Sequence, residues 1–164
     1  MKTNDLVKGG IVAAIYIVLT LLVAPVAFGP VQFRISEGLN FLGLYNRRYI
    51  IAITLGVFLV NMANGPIDMV VGTLHTVLSL ILGRYLAKKV TERQQNSHRI
   101  TQYAIMTLVF SVMMFIIAYM LVYLLHFEEA FWFTYGTLFL SELIAMALGA
   151  FIMLPLSARI DFEE

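Results

Sequence analysis

The sequence predicts an all-α membrane protein with six transmembrane helices and both termini in the cytoplasm. Of its 164 residues, 60% are hydrophobic and 13% are charged, and the mean hydropathy is +0.86. Such a chain has too little polar surface to cover a globule in water, so we expect its solvent to be lipid. The charged residues fall in short stretches between long apolar runs, which is typical of bundled spanning helices. The absence of cysteine excludes disulfides and thiolate sites.

Six apolar runs predict the helices of a single transmembrane domain over residues 1–164. They cover residues 9–28, 35–46, 49–64, 66–90, 100–126 and 130–156. The first run holds about twenty residues, enough to cross a hydrocarbon core of roughly 30 Å, so we interpret it as a helix and not as a signal peptide. The second run contains Glu37 and Asn40, and we expect this helix to be short or strongly tilted.

Helix breakers and polar linkers separate the later helices. The Asn-Gly-Pro run at residues 64–66 predicts a tight connection, with Pro66 at the first position of the fourth helix. A polar linker over residues 88–99 precedes the fifth helix, and a short acidic turn at residues 127–129 precedes the sixth. The last helix is expected to stop near Pro155.

The distribution of basic residues predicts the orientation, because Lys and Arg are retained on the cytoplasmic face. With six crossings, ten of the eleven basic side chains fall on the side of the termini, and Arg34 falls on the other side. The termini are therefore expected in the cytoplasm. The same asymmetry favours six helices, because one misassigned span would scatter basic groups onto both faces.

Polar side chains that a bilayer should exclude converge on the outer half of the predicted bundle. An ionisable group near the bilayer centre costs roughly 2.5 to 3.5 kcal/mol on insertion scales, so each needs a partner, a wet cavity or a ligand. In the six-helix topology these groups all approach one outward-facing region, which we interpret as a binding site. They are Gln32, Arg34, Glu37, Asn61, Asn64, Asp68, His75 and Glu142.

Glu142 is the strongest candidate for ligand contact. It follows Tyr135 by seven residues and shares its helix face, with Trp132 at the mouth of that stripe. A carboxylate beneath aromatic rings suits a planar, nitrogen-rich ring, because the rings stack on it and the carboxylate accepts two parallel N–H donors. Structural alternatives stay open: both aromatic residues also suit an interfacial belt, and Glu142 can have a purely structural partner.

The other polar residues have structural alternatives as well. Asp68 suits the first turn of a helix, where a carboxylate complements exposed N–H groups. Arg34 and Glu37 lie three residues apart and can pair with each other. Amides such as Asn64 often bond to neighbouring helices. His75 has no company of metal ligands in the sequence and is more often structural, so no metal is expected.

Two features bear on energy coupling. The chain lacks a G-x-x-x-x-G-K-[ST] phosphate loop, so any ATP hydrolysis has to come from partner subunits. Small-x-x-x-small pairs let a second helix approach closely in lipid and are candidates for partner docking, although they also occur within bundles. The pairs are Gly9 with Ala13 and Gly10 with Ala14 on the first helix, and Ala145 with Gly149 on the sixth.

The stretch 28–39, which reads F-G-P-V-Q-F-R-I-S-E-G-L, together with residues 61–64 and 67–74, closely resembles the QueT family. Members are six-helix S-components of energy-coupling factor (ECF) transporters, implicated in uptake of queuosine precursors, which are 7-deazaguanines. The resemblance implies a multi-pass protein of the bacterial cell membrane, without a cofactor of its own. It also implies a transmembrane coupling protein and two ATPases as partners. The motif match implies a set of candidate residues for ligand binding or gating: Gln32, Arg34, Glu37, Asn64 and Asp68.

Joined to the geometric argument, the resemblance gives a specific hypothesis for the site. Glu142 accepts the donor edge of the 7-deazaguanine, and Tyr135 stacks on its ring. Gln32 and Asn64 contact its carbonyl and ring nitrogens. If the ligand carries an aminomethyl group, Asp68 or Glu37 holds the ammonium.

Other functions remain open from the sequence. A different planar, vitamin-like ligand is compatible with the same capture architecture. A proton-coupled secondary transporter would use Asp68, His75 and Glu142 as a relay. An intramembrane enzyme is disfavoured, because the sequence offers no combination of nucleophile, base and orienting group and no metal cluster.

Overall fold

The computed structural model describes residues 3–28, 32–92 and 98–163, and within these ranges it contains helices and turns but no β-strand. The predicted all-α fold is confirmed for this part of the chain. Parts of the sequence predictions lie outside the described residues: Lys2, motif residues 29–31, linker residues 93–97 and Glu164.

The described residues form seven α-helices, two 3-10 segments and one π-helical turn. The α-helices are α1 (Thr3–Leu22), α2 (Ala24–Ala27), α3 (Leu42–Tyr45), α4 (Arg47–Asn61), α5 (Pro66–Thr91), α6 (His98–Tyr119) and α7 (Phe131–Ser157). The 3-10 segment Ile35–Phe41 leads directly into α3, and a second one, Met62–Asn64, follows α4. A π-helical turn, Met120–Leu124, extends α6.

Within the described residues, four helices are long and apolar enough to cross a membrane: α1, α5, α6 with its π-helical turn, and α7. They make the chain a membrane protein. Helix α4 holds 15 residues. At about 1.5 Å per residue it is shorter than a hydrocarbon core of roughly 30 Å. By length and composition, the described residues therefore contain four candidate crossings, and the predicted count of six is not tested by this criterion.

The predicted second helix, residues 35–46, is not one continuous α-helix. Its first part is the 3-10 segment Ile35–Phe41, and α3 supplies the remaining turn. Hydropathy does not reveal this, because it measures apolar content and not the hydrogen-bonding pattern. The segment is tied to α1 by its polar residues, since the Ser36 and Thr20 hydroxyls share a hydrogen bond of 2.7 Å.

The long elements form a closed ring. Helix α1 packs on α4, α4 on α5, α5 on α6, and α6 on α7. The 3-10 segment Ile35–Phe41 closes the ring, because it contacts both α7 and α1. This segment therefore occupies the sixth position of the bundle, although it is too short to span a membrane by itself.

Two glycines allow the 3-10 segment to approach α7. A Cβ atom added at Gly149 would lie 2.3 Å from the Cα of Gly38, and one added at Gly38 would lie 2.8 Å from the Cα of Gly149. Backbone atoms cannot move aside as a flexible side chain does, so any larger residue would push the elements apart. Ala145 and Gly149 are both buried, so this pair serves packing inside the bundle.

Both termini lie at one end of the ring, which we call the termini end. Near the N-terminus, Asp5 accepts a hydrogen bond of 2.7 Å from Nη1 of Arg48. The Nη2 atom of Arg48 donates to the carbonyl oxygen of Phe162 at 3.4 Å. Arg99 forms an ion pair of 2.6 Å with Glu163. These contacts bring the start of α1, the start of α4 and the C-terminal tail together.

Candidate functional site

A small buried cavity lies inside the ring, away from the termini end. Its volume is about 10 Å³, which is room for about one water molecule. A site for a small organic ligand usually measures roughly 300 Å³ or more, so ligand entry requires the lining side chains to move apart. The cavity is lined by Gln32, Arg34, Glu37, Gly72, His75, Thr76, Met114, Ile117 and Glu142.

Glu142 is the cavity residue supplied by α7. Its side chain is 2% exposed, and its Oε1 atom has no hydrogen-bond partner in the described part of the chain. An unpaired buried carboxylate is costly, so the surroundings have to offset its charge. Arg34 attracts this carboxylate, and Glu37 repels it. The oxygen is therefore free to accept a hydrogen bond from a ligand.

Arg34 supplies the positive charge at the cavity. Its Nε atom donates to the carbonyl oxygen of Ala27 at 3.2 Å, and its guanidinium carbon lies 5.3 Å from the centre of the Phe28 ring. These contacts fix the side chain in a buried position. Its guanidinium interacts electrostatically with three carboxylates: Glu37, Asp68 and Glu142.

Glu37 is held by the protein on both carboxylate oxygens. The Tyr16 hydroxyl donates to Oε1 at 2.8 Å, and the Asn40 amide donates to Oε2 through a short hydrogen bond. The sequence left open a direct pair between Glu37 and Arg34. Among the described residues, the ion pairs join Arg48 to Asp5 and Arg99 to Glu163, and none joins Arg34 to Glu37. Glu37 thus connects the 3-10 segment to α1.

Gln32 enters the cavity from a strained backbone. Its φ angle is +50°, a left-handed conformation that costs a non-glycine residue about 1 to 3 kcal/mol. The side chain is nevertheless buried and lines the cavity. Strain of this kind persists where the surroundings hold a residue in place, and such residues cluster at binding sites.

His75 reaches the cavity from the middle of α5. Its ring contacts the Phe110 ring edge to face, with 5.9 Å between the centroids. The imidazole also forms a hydrogen bond with the backbone of Phe110. Its Nε2 atom is buried and without a partner among the described atoms. The sequence favoured a structural role for this histidine. Its place beside Glu142 adds it to the candidate ligand-binding groups, and its shared face with Asp68 and Gly72 was the available signal.

Asp68 and Asn64 lie beside the cavity and not in its lining. The Asn64 amide donates to Oδ2 of Asp68 at 2.9 Å, and the Asn61 amide donates to the Asp68 carbonyl oxygen at 3.4 Å. Asp68 is buried, whereas Asn64 is exposed. A Cβ atom at Gly72 would lie 2.3 Å from the Asn61 amide nitrogen, so Gly72 leaves room for this connection between α4 and α5.

Tyr135 and Trp132 lie in a separate aromatic cluster between α6 and α7. The Tyr135 hydroxyl donates to the carbonyl oxygen of Val112 at 3.3 Å, and Trp132 is 73% exposed. Both are outside the cavity lining, and Tyr135 is about 10 Å from Glu142 along the helix axis. The rings around Tyr135 belong to Phe115, Phe131, Trp132 and Phe139.

The two small-residue pairs of α1 face in different directions. Gly9 and Ala13 are buried against α4, where a Cβ atom at Gly9 would lie 3.7 Å from the Cβ of Ala52. Gly10 and Ala14 are exposed, and a Cβ atom at Gly10 would meet no atom within 4 Å. The second pair therefore leaves room for a helix from outside the bundle.

The cavity presents hydrogen-bond acceptors beside one guanidinium. The free atoms are Oε1 of Glu142 and Nε2 of His75. Among the residues that the structure describes, no group of three or more His, Asp or Glu could hold a metal ion. The arrangement suits a polar organic ligand with N–H donors on one edge.

The sequence profile of the QueT transporter family matches residues 6–158. The chain belongs to the QueT transporter family. A similar protein, the queuosine precursor transporter QueT of Lactococcus lactis subsp. cremoris (strain MG1363), is 38% identical over 167 residues. That alignment covers 99% of this chain and 98% of the relative. The comparison with solved structures gives no match. The QueT match confirms the family indicated by the sequence motif, and it includes every residue of the cavity lining.

Proposed function

We propose that this chain is the substrate-capture subunit, or S-component, of an ATP-driven ECF importer, and that it binds a 7-deazaguanine queuosine precursor from outside the cell. The observation that carries the proposal is the buried, unpartnered Oε1 atom of Glu142 in a polar cavity. The name of the relative from Lactococcus lactis supports the choice of ligand class.

The chemistry of a 7-deazaguanine is complementary to this cavity. Its ring N–H and exocyclic amine form two parallel donors, which a carboxylate such as Glu142 accepts in a fork. The neighbouring ring carbonyl is an acceptor, for which Arg34 and Gln32 are the available donors. The Nε2 atom of His75 accepts a further N–H group. Stacking by Tyr135 remains part of the proposal only if the cavity opens towards the aromatic cluster.

An aminomethyl ligand adds a positive charge that needs a carboxylate. Both oxygens of Glu37 already accept hydrogen bonds from the protein. Asp68, which interacts with Arg34 beside the cavity, is therefore the better candidate for the ammonium group. In this proposal Asn64 orients Asp68 through their 2.9 Å hydrogen bond.

We further propose six crossings of the bacterial plasma membrane with cytoplasmic termini. The meeting of both termini at one end supports an even number of crossings. The second crossing along the chain would combine the 3-10 segment Ile35–Phe41 with α3. A coupling protein and two ATPases would supply the energy from ATP, and this chain would need no cofactor of its own.

Binding to the detergent-purified chain tests the ligand assignment. Calorimetry with a 7-deazaguanine series, with guanine and riboflavin as comparison ligands, should show tight one-to-one binding of a queuosine precursor. Glu142→Gln should weaken this binding by up to about 10⁴-fold, because its amide presents an N–H group where the ligand also donates. Glu129→Gln makes the same change at an exposed position and should bind normally.

Normal binding by Glu142→Gln would remove Glu142 from the site. If neither the series nor the comparison ligands bind to a folded wild-type chain, the ligand assignment is wrong. Tight binding of riboflavin alone would point to a different planar ligand.

We propose that the coupling protein docks on the exposed pair of α1, Gly10 and Ala14. Ala14→Leu should prevent co-purification with the coupling protein and ATPases, because close helix approach in lipid requires small residues. Ligand binding should be unchanged. Ala147→Leu enlarges an exposed alanine of α7 and should leave assembly intact.

Uptake that persists without ATPases and stops when the proton gradient collapses would contradict the proposal and favour a proton-coupled carrier.

A further inference from the structure

A second and larger cavity opens between α4 and α5 near the termini end. Its volume is about 780 Å³. It is separate from the polar cavity, because the two share no lining residue. We call it the basic groove. It is lined by Arg47, Ile50, Ile51, Ile81, Arg84, Tyr85, Lys88, Lys89 and Glu92.

The cations of the basic groove form no ion pair with any residue that the structure describes. Within the described ranges, ion pairs join Arg48 to Asp5 and Arg99 to Glu163, and none involves a groove residue. Instead, Lys88 is repelled by both Arg84 and Arg47. Among the described residues, the lining holds four basic side chains and one carboxylate, Glu92. Glu163 attracts Arg84 and Lys88 from outside the lining, and four basic groups against these two carboxylates leave the groove with excess positive charge.

The walls of the basic groove are apolar and open sideways. Ile51 is 58% exposed and Ile81 is 55% exposed on the outer surface of the helices. Tyr85 is equally exposed at 58%, and the Nζ atom of Lys89 lies 5.6 Å from the centre of its ring. These side chains lie about one helical turn further from the termini end than the basic rim. The basic rim is complementary to a phospholipid headgroup, and the adjacent apolar walls are complementary to its acyl chains.

We propose that the basic groove binds an anionic phospholipid of the surrounding membrane. The lipid phosphate lies among Arg47, Lys88 and Lys89, and an acyl chain follows the wall formed by Ile51 and Ile81. Basic pockets between helices at a membrane surface recognise anionic headgroups in this way. A soluble acidic protein is less well matched, because the apolar wall faces the bilayer.

Native mass spectrometry of the purified chain tests this proposal with dioleoyl phosphatidylglycerol against dioleoyl phosphatidylcholine. The wild type should prefer phosphatidylglycerol. Arg47→Gln combined with Lys88→Gln should weaken that binding about 30-fold, because each basic side chain near an anionic surface contributes roughly a factor of five. Lys8→Gln combined with Arg159→Gln removes the same two charges elsewhere at the termini end and should keep the preference.

Three other results would overturn the proposal. They are equal binding of the two lipids by the wild type, an unchanged preference in the groove variant, and complete displacement of the lipid by inorganic phosphate. Complete displacement by inorganic phosphate would mean that the apolar walls do not contribute to binding. In that case Ile81→Ser should bind phosphatidylglycerol as well as the wild type does. A groove variant that keeps its lipid but fails to assemble with partner subunits would instead assign the groove to a protein. Melting temperatures of both double variants establish that each is folded.

Discussion

Glu37 and Glu142 line the same cavity, but the protein treats the two carboxylates differently. Glu37 accepts hydrogen bonds from Tyr16 and Asn40, whereas the Oε1 atom of Glu142 accepts none from the described residues. A carboxylate that is already bonded holds its neighbours in place, and one with a free oxygen can bind a ligand. This difference indicates a structural role for Glu37 and agrees with the ligand-binding role that we propose for Glu142.

The structural role of Glu37 predicts the effect of Tyr16→Phe. Tyr16 is fully buried, and its hydroxyl donates to Glu37 at 2.8 Å. Losing a hydrogen bond to a charged group should lower the free energy of unfolding by about 1 to 3 kcal/mol. Thermal unfolding in detergent measures the effect. Tyr119→Phe removes a hydroxyl from a half-exposed side chain and should change stability little.

An equal melting temperature for Tyr16→Phe and the wild type would show that the Glu37 hydrogen bond does not stabilise the fold. A second readout separates structure from ligand contact. Once folded, Tyr16→Phe should bind ligand within about tenfold of the wild type, because Tyr16 is outside the cavity lining.

The sequence could predict part of the cavity at the level of single residues. Gln32, Arg34, Glu37 and Glu142 are polar groups in apolar surroundings, and the structure brings all four into one lining. Helix periodicity placed Tyr135 on the face of Glu142. It could not predict that the Tyr135 ring leans towards α6.

Apolar members of the lining could not be found in the same way. Met114 and Ile117 line the cavity from α6, yet methionine and isoleucine occur throughout an apolar span. Only the packing of α6 against α5 and α7 selects these two. A cavity wall made of common apolar residues leaves no signal in a single sequence.

At the scale of elements, the contact of the 3-10 segment with α7 depends on glycine. Gly149→Ala should destabilise the chain by about 1 to 3 kcal/mol, because its Cβ atom would lie 2.3 Å from the Gly38 backbone. Gly136→Ala is a matched change in the same helix, where a Cβ atom meets nothing within 4 Å. It should stabilise the helix by about 0.5 to 1 kcal/mol.

Thermal unfolding tests this, because the melting temperatures of the two alanine variants should shift in opposite directions. Opposite shifts are expected, and a stabilised Gly149→Ala would contradict the close crossing. Gly149→Ala should also weaken ligand binding, because the 3-10 segment supplies Glu37 to the cavity.

Helix boundaries followed from the sequence where breakers are strong. Pro66 predicted the start of α5, and that helix begins at Pro66. The start of α1 was predicted at residue 9 but lies at Thr3. Hydropathy marks the part of a helix that sits in lipid, whereas the backbone hydrogen bonds continue into water. The same limitation explains why residues 35–46 were predicted as one helix.

At the scale of the whole molecule, the lack of cysteine allows a direct test of topology. Single cysteines at Asn4, Glu129 and Arg159 occupy exposed positions near three different ends of helices. An impermeant maleimide should label Glu129→Cys in intact cells. Asn4→Cys and Arg159→Cys should be labelled only after permeabilisation, because the proposed topology, which follows the distribution of basic residues, places both termini in the cytoplasm.

The labelling pattern distinguishes the alternatives for orientation. Reversed labelling would place the termini outside. Labelling of Asn4→Cys and Arg159→Cys from opposite sides would require an odd number of crossings and would contradict the ring in which both termini meet.

The size of the polar cavity has a kinetic consequence. A volume of about 10 Å³ admits no bicyclic base, so a ligand of the proposed class would enter only during the fraction of time that the site is open. The apparent dissociation constant then exceeds the intrinsic one by the reciprocal of that fraction. At high ligand concentration, the observed rate constant for binding would level off at the rate constant for opening, because diffusion of the ligand to the site would no longer be the slow step. A ligand over which the cavity has closed would leave only when the site opens again, so the opening rate would also limit release.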